Sequence, residues 1–276
     1  MNILFCGDAG VVQGIFLSML SICKNADAAI TFYILTASVE GRPAISQAYA
    51  EKWQRVLTTK NKLHRVILLD ITDLFQNELP LANMDTRFTP MCMLRLFADI
   101  VPEIPDRILY LDTDVLCCKD FRELYETDLS NYDIAGVPDR YGKWFFGNVL
   151  RHDYLNSGVL LLNMARIRQN GLFGACRQMC RDRKMFMPDQ SSLNKLAVKR
   201  IIPYKYNNQG KMKQDTVLKH FTTFFIFLPR FKAVTIKPWQ IEELHNKLKI
   251  YEFDDILEEC QRSMKDEQRD PYFLYD

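Results

Sequence analysis

The chain has little net charge. Thirty-six basic side chains face 34 acidic ones, for a formal net charge of +2. No basic run is interleaved with aromatics, which weighs against a nucleic-acid partner. It also lacks any apolar run near the ~20 residues that a membrane-crossing helix needs. Its most conspicuous apolar patch, Phe224 to Leu228, is far too short. Met1-Asn2 leads into a short apolar run with no basic n-region and no small-residue cleavage site, so no secretory signal is expected. None of the eight cysteines (Cys6, Cys23, Cys92, Cys117, Cys118, Cys176, Cys180, Cys260) forms a C-x-x-C pair. They read as reduced, mostly buried thiols of a cytosolic protein. Cys176 and Cys180 lack the two further nearby ligands that a zinc site requires. Gly7, Gly10 and Gly14 do not have the G-x-G-x-x-G spacing of a dinucleotide site. The segment Gly7-Asp-Ala-Gly10 carries no basic residue, which weighs against the phosphate loop of a sugar nucleotidyltransferase.

What is present is an ordinary globular composition, 48% hydrophobic and 25% charged over 276 residues, long enough to bury a core without covalent staples. Asn2 to Cys6, Ala29 to Thr36 and His64 to Leu69 read as strands. Between them, Val11 to Lys24 and Ala44 to Leu57 have helical spacing, with Ala48, Trp53 and Val56 as inward candidates of the second. Alternating strand and helix is the signature of a parallel sheet covered by helices. A helical pattern over 89–101 places Met93, Leu94, Phe97 and Ile100 on one face. Arg107 to Leu111 and Ile134 to Val137 read as buried strands. Tyr154 to Asn163 starts polar and becomes apolar, and Asp189 to Val198 reads as a helix. The stretch 204–215 is polar and irregular. Helices are expected over 241–249 and 251–265. No internal repeat, low-complexity segment or linker appears. The expected organisation is one mixed α/β domain over 1–240, with a helical appendage over 241–276 packed on it.

The most informative segment is Arg107-Ile-Leu-Tyr-Leu-Asp112-Thr-Asp114. Two acids follow an apolar strand at spacing i, i+2, which in extended backbone puts both on one face. Carboxylates held together repel unless a cation lies between them, and oxygen ligation suits a hard cation such as Mg²⁺ or Mn²⁺. In open α/β sheets ligands bind beyond the carboxyl ends of the strands, where a divalent ion bridges the phosphates of a nucleotide and stabilises a departing diphosphate. A solvated turn with incidental acids is the plainer alternative.

With these residues in place the chain resembles family 8 of the retaining glycosyltransferases, from Asn2 to about Trp239. The resemblance implies a GT-A type α/β fold with a mostly parallel, Rossmann-like sheet, Mn²⁺ (or Mg²⁺) as cofactor, and a UDP-sugar donor. Asp8, after the first strand, resembles the acid near uracil and ribose; capping the next helix is its other reading. The family's Asn two residues on is Gly10 here. Arg95, in Met93-Leu-Arg-Leu-Phe, resembles the donor-contacting arginine. In an apolar stripe it needs an anionic partner, supplied by a diphosphate or by a buried aspartate. Asp112-Thr113-Asp114 matches the metal motif, with Asp112 and Thr113 also expected against the nucleotide. Asp139, in Ala135-Gly-Val-Pro-Asp, resembles the acid at the sugar hydroxyls. Asn156-Ser157-Gly158 matches the N-[AS]-G block, with Asn156 on the transferred sugar. Pro188-Asp189-Gln190 matches the [PY]-D-Q block. Asp189 is expected on the donor sugar and Gln190 at the reactive face of the anomeric carbon, although from the residues alone an N-terminal cap is the stronger reading of Asp189. His220 resembles the third metal ligand, and Lys237-Pro-Trp239 the block near the diphosphate.

One departure is a long aromatic segment between His220 and Lys237, where the family has a short link with a glycine. Phe224, Phe225, Phe227 and Leu228 there suggest a lid or a lipid-facing loop, or plain core. The expected activity is transfer of glucose or galactose from UDP-glucose or UDP-galactose to a saccharide or lipid-linked saccharide, as in lipopolysaccharide biosynthesis. The expected place is the cytoplasm, with at most peripheral contact at the inner face of the cell membrane. The alternatives are a catalytically weak sugar-nucleotide-binding protein and a sugar nucleotidyltransferase.

Overall fold

The computed structural model describes residues 1–39, 41–84, 90–142, 153–226 and 232–265. Within them, short apolar runs form strands β1 (Asn2–Cys6), β2 (Thr31–Thr36), β3 (Arg65–Asp70) and β4 (Arg107–Leu111). They are followed by β5 (Val115–Cys117), β6 (Ile134–Pro138), β7 (Leu155–Asn163), β8 (Lys199–Ile201), β9 (Leu218–His220), β10 (Phe224–Ile226) and β11 (Lys232–Val234). Seven of these make one sheet in the order β3-β2-β1-β4-β7-β6-β8. The expected mostly parallel sheet is borne out: β3, β2, β1 and β4 run parallel, as do β6 and β8. The exception is β7, antiparallel to both neighbours.

That reversal builds the site. Because β7 opposes β4 and β6, its first residues lie at the same sheet edge as the last residues of both. Asp112 N–H donates to Gly158 O at 2.8 Å, and Asp139 N–H donates to Tyr154 O at 2.8 Å. A separate antiparallel pair, β5 with β9, sets His220 opposite Val115, and Phe221 N–H bonds Asp114 O at 3.1 Å. Residues distant in sequence thus meet through three strand pairings.

Apolar layers cover both faces. One layer packs the helix Val12–Asn25 (Ile15, Phe16, Met19) with Trp53 and Leu57 of the helix Gln47–Lys60. The other packs Met93, Leu94 and Phe97 with Phe173 and Leu193. In the second helix the inward stripe is Ala50, Trp53 and Leu57, while Ala48 and Val56 are half-buried; Trp53 was placed correctly and its neighbours were displaced around the helix. The pattern over 89–101 is a 3₁₀ helix, Pro90–Phe97, buried on nearly every side. A segment enclosed all round has no polar face for periodicity to reveal. Ile100 falls outside it and is exposed.

The C-terminal region forms a short helix Ile241–Glu243, a π turn Leu244–Leu248 ending at Lys249 (φ +56°), and a helix Asp254–Lys265. Leu244, Phe253, Ile256 and Leu257 join the same apolar layer as the helix Val12–Asn25. Lys24 reaches Asp255 at 2.6 Å and Lys60 reaches Glu259 at 2.9 Å. The aromatic segment after His220 begins as strand β10, paired antiparallel with β11. Phe224 is half-buried; Phe227 and Leu228 lie outside the described residues. Among the described residues no helix is long and apolar enough to cross a membrane.

Candidate active site

A cleft of about 260 Å³ opens at the carboxyl edge of β4. Ten of the residues singled out in the sequence line it together: Arg95, Asp112, Asp114, Asp139, Asn156, Ser157, Asp189, Gln190, His220 and Lys237. Asp8 and Thr113 are not among its lining residues. Asp8 caps a 3₁₀ turn, accepting from Gly10 N–H at 2.8 Å, and lies 3.5 Å from Arg42.

On one side, single ligand atoms of Asp112, Asp114 and His220 lie within 4.8 Å of one another. Two carboxylates and an imidazole form a donor set that suits Mn²⁺, which accepts both oxygen and nitrogen. The space is reserved by Gly158: a Cβ there would lie 2.1 Å from His220 Cε1 and 2.7 Å from Asp112 Oδ2. The residues present therefore fit a divalent ion.

The carboxylates are held by cations of the protein itself. Lys237 Nζ is ion-paired with Asp114. Burial alone would push the Asp114 carboxyl up, but Lys237 and His220 overcome it and hold it below the usual carboxylate range. Burial opposes the charge on Lys237 too, and Asp114 more than compensates, raising its pKa. Asp112 Oδ1 accepts from Arg95 Nη2 at 2.9 Å and from Tyr110 OH at 2.7 Å.

Arg95 has its partners within the protein. Besides Asp112, it donates to Ser157 O at 2.6 Å and Cys92 O at 2.8 Å, lies 3.4 Å from Asp189 Oδ2, and stacks on the Tyr110 ring at 3.9 Å. Asp112 and Asp189 are thus aspartate partners of the kind considered for it. Burial disfavours its charge, but Tyr110, Asp112 and Asp189 raise its pKa above the ordinary arginine value.

The opposite side is a network of amides and acids. Asp139 Oδ2 accepts from Asn156 Nδ2 at 2.9 Å and Gln190 Nε2 at 3.3 Å. Gln190 Oε1 accepts from Ser157 N–H at 2.9 Å, and Ser157 Oγ lies 3.2 Å from Asp189 Oδ2. Asp189 and Gln190 open the helix Pro188–Leu196, and both are buried facing the cleft. Capping is thus not the whole account of Asp189: it has no side-chain N-cap bond there, Met187 being the cap position.

Sequence reasoning missed several participants. Tyr110 was visible in principle, since alternation along β4 puts it on the face of Asp112. The irregular stretch 204–215 conceals Asn207, Asn208 and Gln209, all buried. Asn207 bonds both His220 and Asn156, and Gln209 lines the cleft with Tyr141, Phe186 and Met187. No periodic signal marks these residues.

Comparison with known proteins is consistent with this geometry. The streptococcal "Probable glycosyl transferase Gly" of Streptococcus gordonii is 34% identical over 131 residues, covering 46% of this chain and 18% of that protein. The "Lipopolysaccharide 1,2-glucosyltransferase" of Escherichia coli K12 is 25% identical over 269 residues, covering 91% of this chain and 76% of that protein. The matched stretch spans only 18%, 25% and 38% of the three streptococcal relatives. In fold, the galactosyltransferase LgtC, solved with donor and acceptor sugar analogs, superposes with a TM-score of 0.69 at 18% identity, covering 95% of this chain and 96% of that one. The expected GT-A fold is therefore borne out. With residues 2–242 matching the family model for glycosyl transferase family 8, the chain belongs to that family of glycosyltransferases.

Proposed function

We propose that this cleft transfers glucose or galactose from UDP-glucose or UDP-galactose to a saccharide or lipid-linked saccharide acceptor, with retention of anomeric configuration and with Mn²⁺ or Mg²⁺ as cofactor. The observation that carries the reading is the convergence of Asp112, Asp114 and His220 beside Lys237, facing the amide–carboxylate network. Asp112, Asp114 and His220 would hold the ion. When bound, it supplies positive charge at the donor diphosphate.

The remaining work falls to the chain's own residues. Arg95 and Tyr110 hold one oxygen of Asp112, leaving its second oxygen towards His220. Lys237, paired with Asp114 at the edge of the same cleft, places a positive charge where the leaving group would depart. Asp139, Asn156, Asp189 and Gln190 present acceptors and donors to the hydroxyls of the transferred sugar. Gln190 is an amide and a poor nucleophile. Attack of the acceptor hydroxyl from the face that the diphosphate leaves, with a departing phosphate oxygen taking the hydroxyl proton, accounts for retention without a covalent step. The family, together with the lipopolysaccharide enzyme among the relatives, supports a saccharide or lipid-linked acceptor met in the cytoplasm, with at most peripheral contact at the membrane's inner face.

Slow hydrolysis of the donor tests the stereochemistry without knowledge of the acceptor. Early proton spectra of a UDP-α-hexose reaction are expected to show the α-hexose before mutarotation; first appearance of the β-anomer would overturn retention.

A further inference from the structure

A buried chain of hydrogen bonds crosses from the sugar side of the cleft to the metal side. Asp139 Oδ2 accepts from Asn156 Nδ2 at 2.9 Å. Asn156 Oδ1 accepts from Asn207 Nδ2 at 2.9 Å. Asn207 Oδ1 lies 3.0 Å from His220 Nδ1. Asn207 is fully buried, its N–H donates to Tyr204 O at 3.1 Å, and the next residue is pinned beside β9: Asn208 N–H bonds Leu218 O at 2.9 Å and His220 N–H bonds Asn208 O at 3.1 Å. Lys219 Nζ ties the same turn, donating to Asn208 O at 3.2 Å and Gly210 O at 2.7 Å.

The two ends of an amide have the same shape, so the direction of such a chain must come from a group whose role is certain. Gly158 supplies it. Its backbone N–H, which only donates, points at Asn156 Oδ1 at 3.0 Å; that end of Asn156 is therefore oxygen. The end of Asn207 facing this oxygen must be its amide nitrogen, and its own oxygen then faces His220. An amide oxygen only accepts, so His220 carries a proton on Nδ1. In the neutral ring the lone pair is then on Nε2. Nε2 lies 3.2 Å from Asp114 Oδ1 and 3.6 Å from Asp112 Oδ2. Three electron pairs thus converge where a cation would sit.

We propose that Asn207 is a positioning residue for the metal centre, fixing His220 as the Nδ1–H tautomer so that the Nε2 lone pair is aimed at the point shared by Asp112 and Asp114. The inference rests on the metal reading above and adds a direction to it. The carboxylate at the sugar side and the imidazole at the metal side are ordered by one polarised chain, whose central link is a residue that touches neither sugar nor ion. Such outer partners of a ligand histidine set its tautomer and orientation.

The test uses the full chain, nitrogen-15-labelled at histidine and free of metal. His220 is assigned by difference from the His220→Gln protein. A proton on Nδ1 is expected. Asn207→Leu should lose this signature and bind Mn²⁺ roughly 10- to 100-fold more weakly by electron paramagnetic resonance titration. Asn207→Asp keeps an acceptor oxygen towards Nδ1 while losing the donor to Asn156 Oδ1, and should retain the tautomer and more of the affinity than Asn207→Leu, a difference that simple packing would not give. If Asn207→Leu does not fold, the wild-type tautomer and the Asn207→Asp titration still decide. A wild-type Nδ1 that carries no proton, or Asn207→Leu with wild-type Mn²⁺ affinity, would overturn the proposal. A wild-type protein with the Nδ1 proton but no affinity for Mn²⁺ would overturn the metal reading, and with it the role of Asn207, while the tautomer assignment stood.

Discussion

Gly158 lies where two of the candidate metal ligands converge, and the absence of a side chain there keeps the space open. A Cβ would lie 2.1 Å from His220 Cε1, so in Gly158→Ala the imidazole or Asp112 must move. Misplaced ligation is expected to weaken Mn²⁺ binding or activity by about 10- to 100-fold. A Mn²⁺ titration of UDP release checks this, and an unchanged half-saturation would count against the cradle. Lys237→Met should act differently. It removes a charge from the leaving group and an ion pair from Asp114, so kcat should fall by roughly 10²-fold or more, on the scale of losing one transition-state donor, while Mn²⁺ binding persists. At this scale the sequence was informative where a motif fixes spacing. Asp112, Asp114, Asn156, Asp189 and Gln190 all come together in the cleft. Asn207 was illegible because its importance lies in what it touches, and a buried asparagine in an irregular stretch resembles any polar loop residue.

Among the elements, β7 does the most to assemble the site, and its direction was not readable from its residues. A fully buried strand looks the same parallel or antiparallel, yet only the antiparallel arrangement brings Asn156 to Gly158 beside Asp112 and Asp139. The 3₁₀ helix Pro90–Phe97 illustrates the complementary limit. It is helical, as the pattern over 89–101 suggested, but enclosed on nearly every side, and Arg95, which lines the cleft, stands out in the sequence as a charge among apolar neighbours. The helix Asp254–Lys265 sets Ile256, Leu257 and Cys260 into the layer beneath the helix Val12–Asn25. Leu257→Ala should therefore cost about 2–5 kcal/mol, read as a lower denaturation midpoint with an unchanged slope. A shift within about 0.5 kcal/mol, the range of surface substitutions, would instead make the C-terminal helix a loosely attached appendage.

For the whole molecule, the sheet, the cleft at its carboxyl edge and the family agree. In the proposed function, the acids, amides and histidine that the sheet gathers at one edge would supply both halves of a donor site: charge for a diphosphate and hydrogen bonds for a sugar. The general architecture was legible because strand–helix alternation is a strong pattern. Tyr141 and Phe186 also line the cleft, and no short motif encodes their roles. The most direct measurement is UDP release from UDP-glucose and UDP-galactose as Mn²⁺ is titrated, comparing the wild-type chain with the Asp112→Asn, Asp114→Asn double variant. Release from at least one donor should saturate with Mn²⁺, vanish with chelator and be absent from the variant. Equal release by the two proteins, or none from the wild type with either donor, would contradict the account.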